Sequence, residues 1–68
     1  MNKRGRMSIE HELLTVRQAA DWLQVAERTV REMIDRGDIP AAKIGKAYRI
    51  ERVDLENFIA SRKEVKED

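Results

Sequence analysis

Two short amphipathic helical patterns lie only about three residues apart in this chain, and that spacing limits its fold more than any other feature. Val16, Ala19, Ala20 and Leu23 fall at i, i+3, i+4 and i+7, one face of a helix. The pattern stops at Gln24-Val25-Ala26 and resumes with Val30, Met33 and Ile34. Thr15 followed three residues later by Gln18 is a capping-box sequence, and Leu14 before it can staple against Ala19. These signals predict a first helix over about 16–23. Gly37 stands where a helix-closing glycine belongs, which predicts a second helix over about 27–36. Val25 is expected to plug the core between the two.

This is helix-turn-helix spacing. Ile39-Pro40 then breaks the helical run. Ala42, Ile44, Tyr48 and Ile50 alternate on either side of Gly45-Lys46, which reads as a β-hairpin. Ile44 and Ile50 are expected to point inward, Lys43 and Arg49 outward. Leu55, Phe58 and Ile59 give a last apolar helical face over about 52–61, with Asp54 in its first turn. Glu51 is a poor N-cap for that helix. The expected fold is mainly α with a small β-hairpin: a winged helix-turn-helix of two helices, a two-stranded wing and a closing helix. Residues 1–12 read as a flexible basic arm, 13–61 as the folded domain and 62–68 as a charged tail.

Composition narrows the function. With 68 residues there is room for one small core. Cysteine is absent, which excludes disulfides and thiolate metal sites. No apolar run is long enough for a membrane span. The basic start, Met1 to Arg6, is followed by no apolar stretch, so it is not a secretory signal; a cytoplasmic location is expected. A net charge of +1, from 14 basic and 13 acidic residues, does not itself suggest nucleic acid. The distribution does. Lys3, Arg4 and Arg6 cluster in the arm, and Lys43, Lys46, Arg49 and Arg52 follow one another with only Glu51 among them. His11 is the lone histidine, the acids are scattered, and no glycine-rich phosphate loop is present. No catalytic residue, metal site or cofactor is expected.

Taken in order, Leu14-Thr15-Val16, Gln18-Ala19-Ala20, Leu23, Val25, Arg28-Thr29-Val30, Gly37, Ile39-Pro40, Ile44-Gly45-Lys46, Tyr48-Arg49-Ile50, Asp54-Leu55 and Phe58 resemble the excisionase-like branch of the MerR-type winged helix-turn-helix superfamily. The resemblance covers about residues 13–60. It implies DNA binding, with the second helix in the major groove and the wing against the backbone or minor groove. Members of the branch include phage and mobile-element excisionases, small transcriptional regulators and the DNA-binding parts of packaging terminases. Two positions depart from the pattern. Gln24 stands where the family usually has glycine, and Ala26 where it has serine or threonine. Glycine would relieve a left-handed turn there, and serine would cap the second helix.

On a helical wheel, Val30, Met33 and Ile34 fix the buried side of the second helix. Arg28 and Glu32 then point away, and Arg31 lies on the flank. Arg28 and Arg31 suit guanine, whose O6 and N7 match the guanidinium fork; Glu32 either accepts from a cytosine amino group or pairs with Arg28 or Arg36. Thr29, between the faces, can hold a phosphate. The Thr15 hydroxyl and the amides of Val16 and Arg17 can bind a second phosphate, or serve only as the helix cap, and both can hold. Lys43, Lys46 and Arg49 on the wing fit the DNA backbone or minor groove. Tyr48 reads as packing, and Trp22 as a partly exposed cover or a protein contact.

The expected function is sequence-specific binding of double-stranded DNA, as an excisionase (recombination directionality factor) beside an integrase or recombinase. The alternatives are a small transcriptional repressor or, in another class, a protein-interaction module of the terminase-adaptor kind. No heptad run follows the last helix, so a monomer in solution that binds cooperatively on DNA is expected.

Overall fold

A computed structural model describes residues 12–64. The basic arm residues Lys3, Arg4 and Arg6, with His11, and the end of the tail from residue 65 onward lie outside it. Six elements follow in order: β1 (Leu13–Thr15), α1 (Val16–Leu23), α2 (Glu27–Arg36), β2 (Ala42–Ile44), β3 (Ala47–Glu51) and α3 (Arg52–Arg62). The fold is the expected one, mainly helical with a hairpin wing.

Helix α1 begins as its sequence dictates. The Thr15 hydroxyl accepts the Gln18 amide at 3.0 Å, and the Gln18 side chain accepts the Thr15 amide at 2.9 Å. Both α1 and α2 end on a left-handed residue and the same two-bond closure. At α2 this is Gly37 (φ 87°), with Gly37 N–H donating to Ile34 at 3.0 Å and Asp38 N–H to Met33 at 2.8 Å. At α1 it is Gln24 (φ 60°), with Gln24 N–H donating to Asp21 at 3.3 Å and Val25 N–H to Ala20 at 3.1 Å. Gln24 is thus a side-chain-bearing residue in a conformation that suits glycine.

Ala26 occupies the N-cap of α2 and offers no side-chain acceptor. Ala26→Ser is therefore expected to stabilise the domain by about 1 kcal/mol, read as an upward shift in the urea midpoint at unchanged slope.

The core is the cluster Leu14, Val16, Ala19, Ala20, Val30, Ile39, Ile50 and Leu55. Ala19 and Ala20 are small enough for α2 to pack closely on α1, and Val30 fills the space between them. Leu23, Met33, Ile34, Tyr48, Phe58 and Ile59 pack around this centre. Val25 does not plug it. Val25 is 37% exposed, because the left-handed turn at Gln24 carries the chain outward before α2 begins.

The sheet has one strand more than the sequence suggested. Its order is β1-β3-β2, all antiparallel, with Leu14 opposite Ile50 and Thr15 opposite Arg49. The Arg52 amide donates to the Glu12 carbonyl at 2.8 Å, so Glu12, read as the last arm residue, is tied to the start of α3.

Register also corrects the inward and outward assignment of the wing. Ile44 pairs with Ala47, Lys43 with Tyr48 and Ala42 with Arg49. Across this two-residue turn, residues of the same number parity fall on opposite sheet faces. Ile50, Tyr48 and Lys43 therefore share the face toward the helices. Ile44, Ala47 and Arg49 share the other. Ile50 is buried as expected, but Ile44 is 56% exposed. Lys43 is exposed, whereas Arg49 is half-buried rather than fully outward.

Candidate nucleic-acid interface

The start of α1, the first half of α2 and the hairpin enclose a cleft of about 290 Å³. Thr15, Val16 and Arg17 line it from α1, Glu27 and Arg31 from α2, and Lys43, Lys46, Ala47, Tyr48 and Arg49 from the wing. The cations Arg17, Arg31, Lys43, Lys46 and Arg49 thus converge from three elements on one concavity, opposed by the single carboxylate of Glu27. Residues that lie far apart in sequence make one positive surface, which the near-neutral total conceals.

Local structure positions each group. The capping box fixes Thr15, whose hydroxyl accepts from Gln18 and still has its own proton to donate. The amides of Val16 and Arg17 in the first turn have no intrahelical acceptor, and that turn carries no acidic residue. Capping and phosphate binding by Thr15 are therefore compatible.

Arg31 is held loosely. Its Nη1 lies 3.9 Å from Glu27 Oε1, with both side chains about half exposed. An exposed pair of this kind contributes about 0–1 kcal/mol, so an incoming phosphate or base can displace Glu27 at small cost. Arg49 is held more firmly: its Nη1 donates to the Tyr48 carbonyl at 3.1 Å, while its other N–H groups remain available. The Lys43 ammonium lies 5.7 Å from the centre of the Tyr48 ring. Tyr48 therefore packs against the core on one side and faces the Lys43 ammonium on the other.

Arg28, Thr29 and Glu32 are not part of the cleft wall. Arg28 and Glu32 are exposed on the adjoining surface of α2, and Thr29 is half-buried. Neither Arg28 nor Glu32 has a side-chain ion pair among the described residues; the ion pair of α2's first half joins Glu27 to Arg31 instead. Glu27 was missed in the sequence, although its i,i+4 spacing to Arg31 is the signal that would have found it.

A different surface holds Trp22. Trp22 is 42% exposed, and its ring centre lies 5.4 Å from the Arg52 guanidinium, which also contacts Glu56 at 3.2 Å and Glu12 at 3.4 Å. Arg52 at the start of α3 thus joins Trp22 of α1 to Glu12 and Glu56.

The fold and the cleft define a winged helix-turn-helix domain with a basic concave face. The sequence profile described as "Helix-turn-helix domain" matches residues 13–63, and the chain belongs to that family. It is also similar to a curated relative, the transcriptional repressor DcmR of Methylorubrum extorquens, at 40% identity over 53 residues. That alignment covers 75% of this chain and 20% of the repressor, so the chain spans about a fifth of the relative's length. No solved structure matches significantly. Helix-turn-helix domains bind double-stranded DNA by laying the second helix of the motif in the major groove. Among the described residues no helix is long and apolar enough to cross a membrane.

Proposed function

We propose that this chain recognises a specific duplex sequence. In this reading Arg28, Arg31 and Glu32 of α2 meet base edges. Thr15, Arg17 and Thr29 hold the backbone, and Lys43, Lys46 and Arg49 of the wing track the adjacent phosphates or minor groove. The observation that supports it best is the convergence of five cations from three elements on one cleft beside the exposed face of α2. Bases are read by the helix, while the surrounding contacts set its register.

The biological role we favour is that of an excisionase acting beside an integrase, on the strength of the motif order from Leu14 to Phe58. Copies bind neighbouring sites cooperatively as monomers, since one module of this size buries only about 600–1,000 Å² on DNA. A second reading, transcriptional regulation, is favoured by the likeness to a repressor.

Selection from a genomic fragment pool tests both levels. Specific fragments should be retained, and log K should fall linearly with log salt. Lys46→Ala should weaken all fragments alike and flatten the slope by about one unit. Retained sites clustered at recombination sites support the excisionase role; sites at promoters support the regulator. Failure of the folded chain to retain any fragment at low salt contradicts DNA binding itself.

A further inference from the structure

The wing carries a bulky apolar side chain that the core does not use. Ile44 is the most exposed of the large hydrophobic residues described, at 56%. It is the last residue of β2, next to the tight turn formed by Gly45 (φ 64°) and Lys46. On its sheet face the near neighbours are Ala42 and Ala47, too small to cover it. Lone exposed aliphatic residues are common on proteins. This one stands in sequence between Lys43 and Lys46, which both line the cationic cleft, while Ile44 itself lies at the hairpin tip beside the cleft wall.

We propose that Ile44 is a wedge that enters the minor groove of the bound duplex, partly unstacks one base step and bends the DNA. This rests on the reading of the cleft as the DNA interface and adds a specificity-determining residue to it. The minor groove is about 6 Å wide in ordinary duplex, so a single side chain beside the ribbon's tip enters it more readily than the two-stranded ribbon itself. Isoleucine is among the apolar residues that open base steps in this way. Lys43 and Lys46 neutralise the flanking phosphates while the apolar group, uncharged and otherwise hydrated, is buried between bases. Flexible pyrimidine–purine steps open at least cost, so the wedge makes the protein select such a step without any hydrogen bond to it.

The test uses the full chain and a duplex selected by it from genomic fragments, with 2-aminopurine placed in turn at each pyrimidine–purine step. The chain should raise fluorescence at one step and bend the duplex by about 20–90°, read by energy transfer between its ends. Ile44→Ser should lose most of the fluorescence rise and at least half of the bend, with an unchanged salt slope because Lys43 and Lys46 remain. Ile44→Leu should keep both signals. If serine loosens the strand, as judged from a circular dichroism melt, Ile44→Thr retains the β-branch and carries the same expectation as Ile44→Ser. An Ile44→Ser protein that bends DNA like the parent overturns the wedge and leaves the DNA reading intact. The same holds if the substitution lowers self-association in sedimentation while the bend persists, which would assign Ile44 to a second copy of the chain. A parent chain that binds no duplex removes the DNA reading and the wedge with it.

Discussion

An Ile50→Ala variant is expected to be largely unfolded under conditions in which Ile44→Ala is fully folded. The two substitutions delete the same atoms from the same hairpin. Ile50 is fully buried at the centre of the sheet, on β3, opposite Leu14 and in one cluster with Val16, Val30 and Leu55. Removing it costs the transfer energy of the lost methyl groups plus a cavity that rigid neighbours fill only in part, about 2–5 kcal/mol. A domain of about fifty residues has roughly 3–8 kcal/mol of stability in all, so the loss takes up much of it. Ile44, 56% exposed, has little burial to lose, and its replacement should stay within about 0.5 kcal/mol. Urea titrations followed by circular dichroism separate the two. Equal midpoints would mean that the register of the hairpin has been assigned to the wrong face.

The second large effect is on specificity. Arg28→Ala and Arg31→Ala should each remove about 1–3 kcal/mol of discrimination between the selected site and unrelated duplex. Affinity for unrelated duplex should change far less. The two arginines lie one turn apart on α2, Arg31 at the cleft wall and Arg28 on the open surface beside it. If Arg31 meets DNA it must give up Glu27, 3.9 Å away, so Glu27→Gln should strengthen binding modestly by freeing it and removing a charge from the cleft. Competition titrations with specific and random duplexes measure these terms separately. Equal weakening on all sequences by the arginine variants would place them on phosphates and exchange the assigned roles of helix and wing.

The helices were legible because each is marked by local chemistry. Thr15 and Gln18 announce α1, Gly37 ends α2, and apolar periodicity fixes the inner faces between. The departures at Gln24 and Ala26 were legible too, as a strained turn and an uncapped helix start, because both depend on backbone conformation at single residues. Strand β1 was not. Leu13, Leu14 and Thr15 are too few to show a period of two, and Leu14 and Thr15 already read as a helix staple and cap. Their pairing with β3 is set by chain segments far away in sequence. The facing of Ile44 failed for a geometric reason: parity across a hairpin depends on turn length, and a two-residue turn reverses it. The cleft lay beyond sequence reading as a shape, although Thr15, Arg17, Arg31 and the three wing cations on its wall had each been picked out singly. Charge spacing within one helix is readable; convergence of three elements is a property of the fold.

The cleft and the outer face of α2 together are expected to form the DNA interface. Amide chemical-shift mapping of the labelled chain on titration with a selected duplex tests it most directly. Shifts should concentrate at Thr15, Val16 and Arg17, along Arg28 to Glu32, and from Lys43 to Arg49, while Trp22, Glu56 and the second half of α3 stay near their free positions. Shifts confined to the surface around Trp22 and Arg52, with the cleft unaffected, would move the DNA interface to that surface and away from the cleft.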